Sequence, residues 1–151
     1  MALKQRIQDD LKAALLGGDR FVAETLRGLK AAILNEEVAK GKRDEGLEDT
    51  EIEQIVAKEV KKRNESATLY EQNDREESAA DERRQAEILS GYLPAQLGEE
   101  ELNAIVEAAI KHLGANGMSD MGKVICAVKS KVGNTADGAT VAKLVKEQLT
   151  Q

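Results

Sequence analysis

Pro94 is the only proline in a chain of 151 residues. With so few helix breakers, little except glycine can interrupt helices. The proline stands in the stretch Ile88 to Leu97. A charged helical run ends there, with Gly91 and Pro94 as the stop signals. Leu93 is pushed towards an extended conformation by the ring that follows it. Tyr92, Leu93 and Leu97 are apolar, so the stretch reads as a packed elbow rather than a solvated linker. It separates a charged helical N-terminal domain, residues 1–93, from a small three-helix C-terminal domain, residues 94–151. No segment alternates with period two between turns, so the predicted fold class is all-α.

In the first part, Leu3, Ile7, Leu11 and Leu15 recur every four residues, and Val22, Leu26, Leu29 and Ile33 follow after Gly17-Gly18-Asp19. The polar segment Gly41 to Gly46 is an exposed loop. Thr50 and Glu53 have capping-box spacing and predict the start of a long helix that runs to about Gln72. Arg75 to Ser90 forms another charged helix, with Ala79, Ala86, Ile88 and Leu89 as its apolar side. Beyond Pro94, three short segments have strong stripes: Leu102 to Leu113, Met121 to Val128 with Ser119 as the expected N-cap, and Val141 to Leu149 after the Asp137-Gly138 turn. Their core must be aliphatic, because the chain has no Trp and only Phe21, Tyr70 and Tyr92 as aromatics.

The same residues exclude much chemistry. His112 is the single histidine and Cys126 the single cysteine. Neither is tied to a partner by a nucleophile–base motif, and free cysteine is usually a small buried hydrophobe. No catalytic residue, metal site or cofactor is expected. No glycine-rich phosphate-binding motif occurs. No apolar run reaches the length of a membrane span, so no membrane partner is expected. The lone cysteine fits a reducing compartment, and the stretch Met1 to Asp10 carries acids, so the expected location is cytoplasmic.

The net charge of −6 argues against DNA as a partner. It is unevenly spread. From Gly91 onward six lysines face seven acids, leaving −1, and the lysines cluster late. Lys123, Lys129, Lys131, Lys143 and Lys146 lie on the last two helices, near glycine turns, where a phosphate-contacting surface is built. Gly122 and Gly138 would permit close backbone approach, although turn or packing roles explain them equally well. Aromatics are absent from this region, so RNA would be read by shape and backbone rather than by stacking. The charged helices 50–72 and 75–90 offer an alternative, a surface for a protein partner.

Several stretches carry a resemblance: Thr25 to Ile33, Lys58 to Ser66, Tyr92 to Leu97, Asp120 to Val124, and Ala136 to Gly138 with Val141 to Val145. On these the chain resembles the GatB/YqeY family over nearly its whole length. The resemblance implies a helical N-terminal domain followed by a small helical C-terminal domain. The latter is similar to the tRNA-holding tail of the B subunit of the glutamine-dependent tRNA amidotransferase. It therefore implies tRNA as a partner and an association with carbon–nitrogen ligase activity that uses glutamine as amido donor. The catalytic cradle of that subunit is missing here, so no intrinsic catalysis is expected. The stretch Lys129 to Thr135 is less basic than the family pattern.

Overall fold

The structure, a computed structural model, describes residues 2–151. Among these there are seven α-helices and no strand. They are α1 (Ala2–Leu16), α2 (Arg20–Ala39), α3 (Asp49–Gln72), α4 (Glu76–Ser90), α5 (Glu99–Leu113), α6 (Met121–Val132) and α7 (Gly138–Leu149). Short 3₁₀ turns, Met118–Asp120 and Gly133–Thr135, precede and follow α6. The chain forms two compact units, Met1–Leu93 and Pro94–Gln151.

In the first unit α1 and α2 form a hairpin, and α3 and α4 form a second, longer one. Leu26, Leu29, Ile33, Ile52, Val56 and Leu89 fill its core, with Tyr92 at the edge. Burying each large aliphatic side chain contributes about 1.5–3 kcal/mol. The α1 stripe differs from expectation at its end: Leu15 is 49% exposed and Ala14 is buried instead. A residue repeated every four positions advances by roughly 40° per step on a helix of 3.6 residues per turn. By Leu15 the stripe has rotated out of the core, and Ala14 returns to the line of Leu3.

The start of α3 also differs. Glu48, not Thr50, occupies the cap, and the Glu51 carboxylate accepts the Glu48 N–H at 2.9 Å. Leu47 and Ile52 stand at the two staple positions around that cap, and both are buried in the same core. Glu51 also accepts from Lys40 at 2.9 Å and Lys42 at 3.3 Å. These bonds, Lys40 foremost and then the Glu48 amide, hold its carboxyl down to about 2. Burial of Leu47 and this clamp set the helix start two residues ahead of the Thr50 box. Arg83 and Glu71 pair at 2.9 Å between α3 and α4, which holds the Glu71 carboxyl below its usual range.

Gly91 is the C-cap of α4, where the sequence placed the stop, and it caps in the right-handed region with φ −62°. The chain continues in a tight right-handed turn because Tyr92 and Leu93 are still held by the core. The Tyr92 hydroxyl donates to Asp10 at 2.6 Å, and the Arg6 guanidinium lies 4.8 Å from the ring centre. Burial, then the Asp10 carboxylate, pushes the phenol well above its usual range.

The second unit is a bundle in which α5, α6 and α7 each pack on the other two. Leu102 and Val106, Val124 and Val128, and Val141, Leu144 and Val145 form its core. Gly114 closes α5 with φ 64°. Ser119 does not cap α6: it lies inside the preceding 3₁₀ turn, where the Asp120 carboxylate accepts the Asn116 N–H at 3.3 Å. Asp137 caps α7 by accepting the Thr140 N–H.

Candidate nucleic-acid interface

The register of α6 is set by Val124, Val128 and Val132, which are buried at every fourth position. This fixes where its lysines stand. Lys123 lies on the solvent side. Lys129 and Lys131, two positions apart, fall on opposite flanks, since two residues turn a helix through about 200°. On α7, Val141, Leu144 and Val145 face inward, so Lys143 and Lys146, three apart, share the outer face. All five side chains are exposed, and none makes an ion pair among the described residues.

Lys129 also reaches α7. Its Cε and Nζ lie 3.3 Å from the point where a Cβ would stand on Gly138, the first residue of that helix. An ammonium therefore sits beside the exposed amides of a helix start, where anions are favoured. Gly122 is exposed with open space around it. The structure thus groups Lys129 with Gly138, and Lys143 with Lys146; it does not bring Lys131 to Lys129. Residues 118–151 hold these five lysines against Asp120, Asp137 and Glu147, whereas residues 94–117 hold Lys111 against Glu99, Glu100, Glu101 and Glu107. The unit is electrically polarised, with its positive side on α6 and α7.

Other sequence candidates are dispersed. His112 is exposed at the end of α5. Cys126 is exposed too, contrary to the buried position expected of it. It lies two residues from Val124 and Val128, which turns it away from the core face. No group of three or more metal-ligating side chains occurs among the described residues. No helix among them is long and apolar enough to cross a membrane.

A helical chain with this order of elements and these motifs can be compared with known proteins. The family model described as Yqey-like protein matches residues 4–149. This chain belongs to the YqeY-like family. It is also similar to fungal proteins named altered inheritance of mitochondria protein 41, mitochondrial. The relative from Pyrenophora tritici-repentis is 27% identical over 94% of this chain and 78% of its own length. Those from Eremothecium gossypii and Clavispora lusitaniae are each 30% identical, over 81% and 66% of this chain and 67% and 58% of their own lengths. The cytoplasmic expectation is corrected by these relatives, which are named as mitochondrial. A lone cysteine excludes an internal disulfide, and it does not distinguish one reducing compartment from another.

In this YqeY-like chain several resemblance stretches have structural work that their spacing does not reveal. Arg63 of α3 donates to Gln85 of α4 at 3.0 Å and pairs with Glu59, while its Nη2 passes Gly28 of α2. Tyr92 is tied to Asp10. Gln96 donates to the Asn134 carbonyl at 3.0 Å, and the Leu97 N–H to the Thr135 carbonyl at 2.8 Å. These last two bonds pin the segment after Pro94 to the turn that leads into Ala136-Asp137-Gly138. The contact of Lys129 with Gly138 was the residue pair the sequence did not announce, because nine positions separate them in different elements.

Proposed function

We propose that this YqeY-like protein is a non-catalytic accessory protein that binds folded tRNA through the lysine-bearing side of α6 and α7. The observation that carries this reading is the set of five exposed lysines, free of ion pairs among the described residues, on the positive side of a unit without Phe, Tyr or Trp. Lys143 and Lys146 contact phosphates from the outer face of α7. Lys129 and the first amides of α7 around Gly138 take another, and Lys123 and Lys131 reach phosphates to either side. Such contacts fix position on the backbone and carry little sequence information. Family membership and the resemblance to an amidotransferase tail support the choice of tRNA.

The two compact units are domains in this reading, Met1–Leu93 and Pro94–Gln151, and RNA binding belongs to the second. Affinity is modest, because the −6 charge of the whole chain repels a polyanion at long range. Fluorescence anisotropy of labelled tRNA against salt tests the reading. The log–log slope should be negative, and each lysine that touches a phosphate contributes roughly 0.9 or less to its magnitude. Changing Lys123, Lys129 and Lys131 to Ala should flatten the slope with helicity unchanged. Unchanged affinity and slope in this triple variant, or equal affinity for unstructured RNA, would contradict it.

A further inference from the structure

On the N-terminal unit, a groove of about 430 Å³ runs between α1 and α2. Ile7, Leu11, Ala31 and Leu34 give it an apolar floor. The floor extends beyond the groove itself. Arg27, Ala31, Leu34 and Val38 are spaced i, i+4, i+7 and i+11, so they share one side of α2. Leu34 is 43% exposed and Val38 59% exposed on that side, and Leu15 is exposed on α1. Leu34 and Val38, four apart on that side and open to solvent beside the groove, offer an apolar surface that a partner can cover.

The charges at its edge say what. Glu37 is the one acid in the lining, and it is buried and already neutralised by Lys4 at 2.6 Å. Arg27 and Lys30 remain, exposed and without an ion pair among the described residues. An apolar surface with two uncompensated cations at its edge is complementary to a helix with an apolar face and an acidic flank. Helix α1 is about 22 Å long at 1.5 Å per residue, which accommodates about four turns of such a partner. A second copy docking on this same face would bring the cations of both copies into one interface with no acid to answer them. RNA would find apolar floor where it needs donors.

We propose that the α1–α2 groove is a docking site for an acidic amphipathic helix of a protein partner, held by Leu34 and Val38 and steered by Arg27 and Lys30. The test uses three labelled 15-residue peptides with leucine at i, i+4, i+7 and i+11. One has Glu at the flanking positions, one has Lys there, and one is the Glu peptide with its leucines scrambled. Anisotropy against the full-length protein should show binding of the Glu peptide alone, with amide shifts of Ala31, Leu34 and Val38 in NMR spectra. Leu34→Glu should weaken it about tenfold or more, as loss of a buried leucine contact implies. The double change Arg27→Glu with Lys30→Glu should exchange the preference, so that the Lys peptide binds instead. Both variants alter exposed side chains, and their helicity serves as the folding control. The proposal is overturned by failure of the Glu peptide to bind, by equal binding of the Glu and Lys peptides, or by shifts outside the groove. It is equally overturned by concentration-dependent self-association of the wild type that Leu34→Glu abolishes.

Discussion

Replacing Lys4 with Met should destabilise the first unit far more than replacing Glu37 with Met. The two side chains form one ion pair at 2.6 Å, but Glu37 is 2% exposed and Lys4 30% exposed. Remove the lysine, and a buried carboxylate loses its counter-charge. Breaking a buried pair in this way costs about 3–5 kcal/mol; the partial exposure of Lys4 places this case at about 3 kcal/mol. Remove the glutamate instead, and the long Lys4 stem swings its ammonium into solvent, for a loss of about 1 kcal/mol or less. The double variant, Lys4→Met with Glu37→Met, buries neither charge and should lie within about 1 kcal/mol of wild type, since apolar replacement of buried pairs is often neutral. The coupling in the double-mutant cycle is then about 3 kcal/mol. Urea unfolding at neutral pH, followed by far-ultraviolet circular dichroism, reads all four stabilities if the m values stay equal. Equal costs for the two single variants, or a double variant less stable than Lys4→Met, would refute the argument from unequal burial.

Three other outcomes follow from the same structure. The Glu51 carboxyl is held down to about 2, chiefly by Lys40 and then by the Glu48 amide, so its share of stability is present above an ordinary glutamate's range and is lost as pH falls towards 2. In Glu51→Gln, acid titration of stability should lack that component; an unaltered acid profile would show that the clamp does not form in solution. Tyr92→Phe, which deletes the bond to Asp10, should cost about 1.5 kcal/mol, the lower end for a bond to a charged group because Asp10 keeps access to water. A change below the error of urea unfolding would remove Tyr92 from the account of how the first unit closes. Residues 94–151 alone should unfold cooperatively on heating, since their core lacks nothing from the rest of the chain; a fragment without a thermal transition would contradict this.

Most of the helices were legible because every apolar stripe in the chain is 3.6-periodic and glycines mark the turns. Stripes were less reliable at their ends. The four-residue repeat of α1 drifts, so Leu15 read as core and is exposed. Capping was legible in type and misplaced in position. Thr50 and Glu53 have the right spacing, but Leu47 and Ile52 around Glu48 decide where the backbone turns, and that depends on tertiary burial. Gly91 does mark the end of α4, but as a right-handed cap, because its neighbours Tyr92 and Leu93 are retained by the core. The lysines of the candidate surface could be named from sequence because charge density is local. Their grouping could not, since Lys129 meets Gly138 only once α6 and α7 are packed.

The proposed meeting of folded tRNA with α6 and α7 can be read residue by residue in an NMR titration of the ¹⁵N-labelled full chain with tRNA. At about 50 mM salt, amide shifts should appear at Gly138, Lys143 and Lys146 and along α6 near Lys129, and they should fade as salt rises to about 200 mM. An unchanged spectrum at low salt, or shifts confined to α1–α4, would contradict the account.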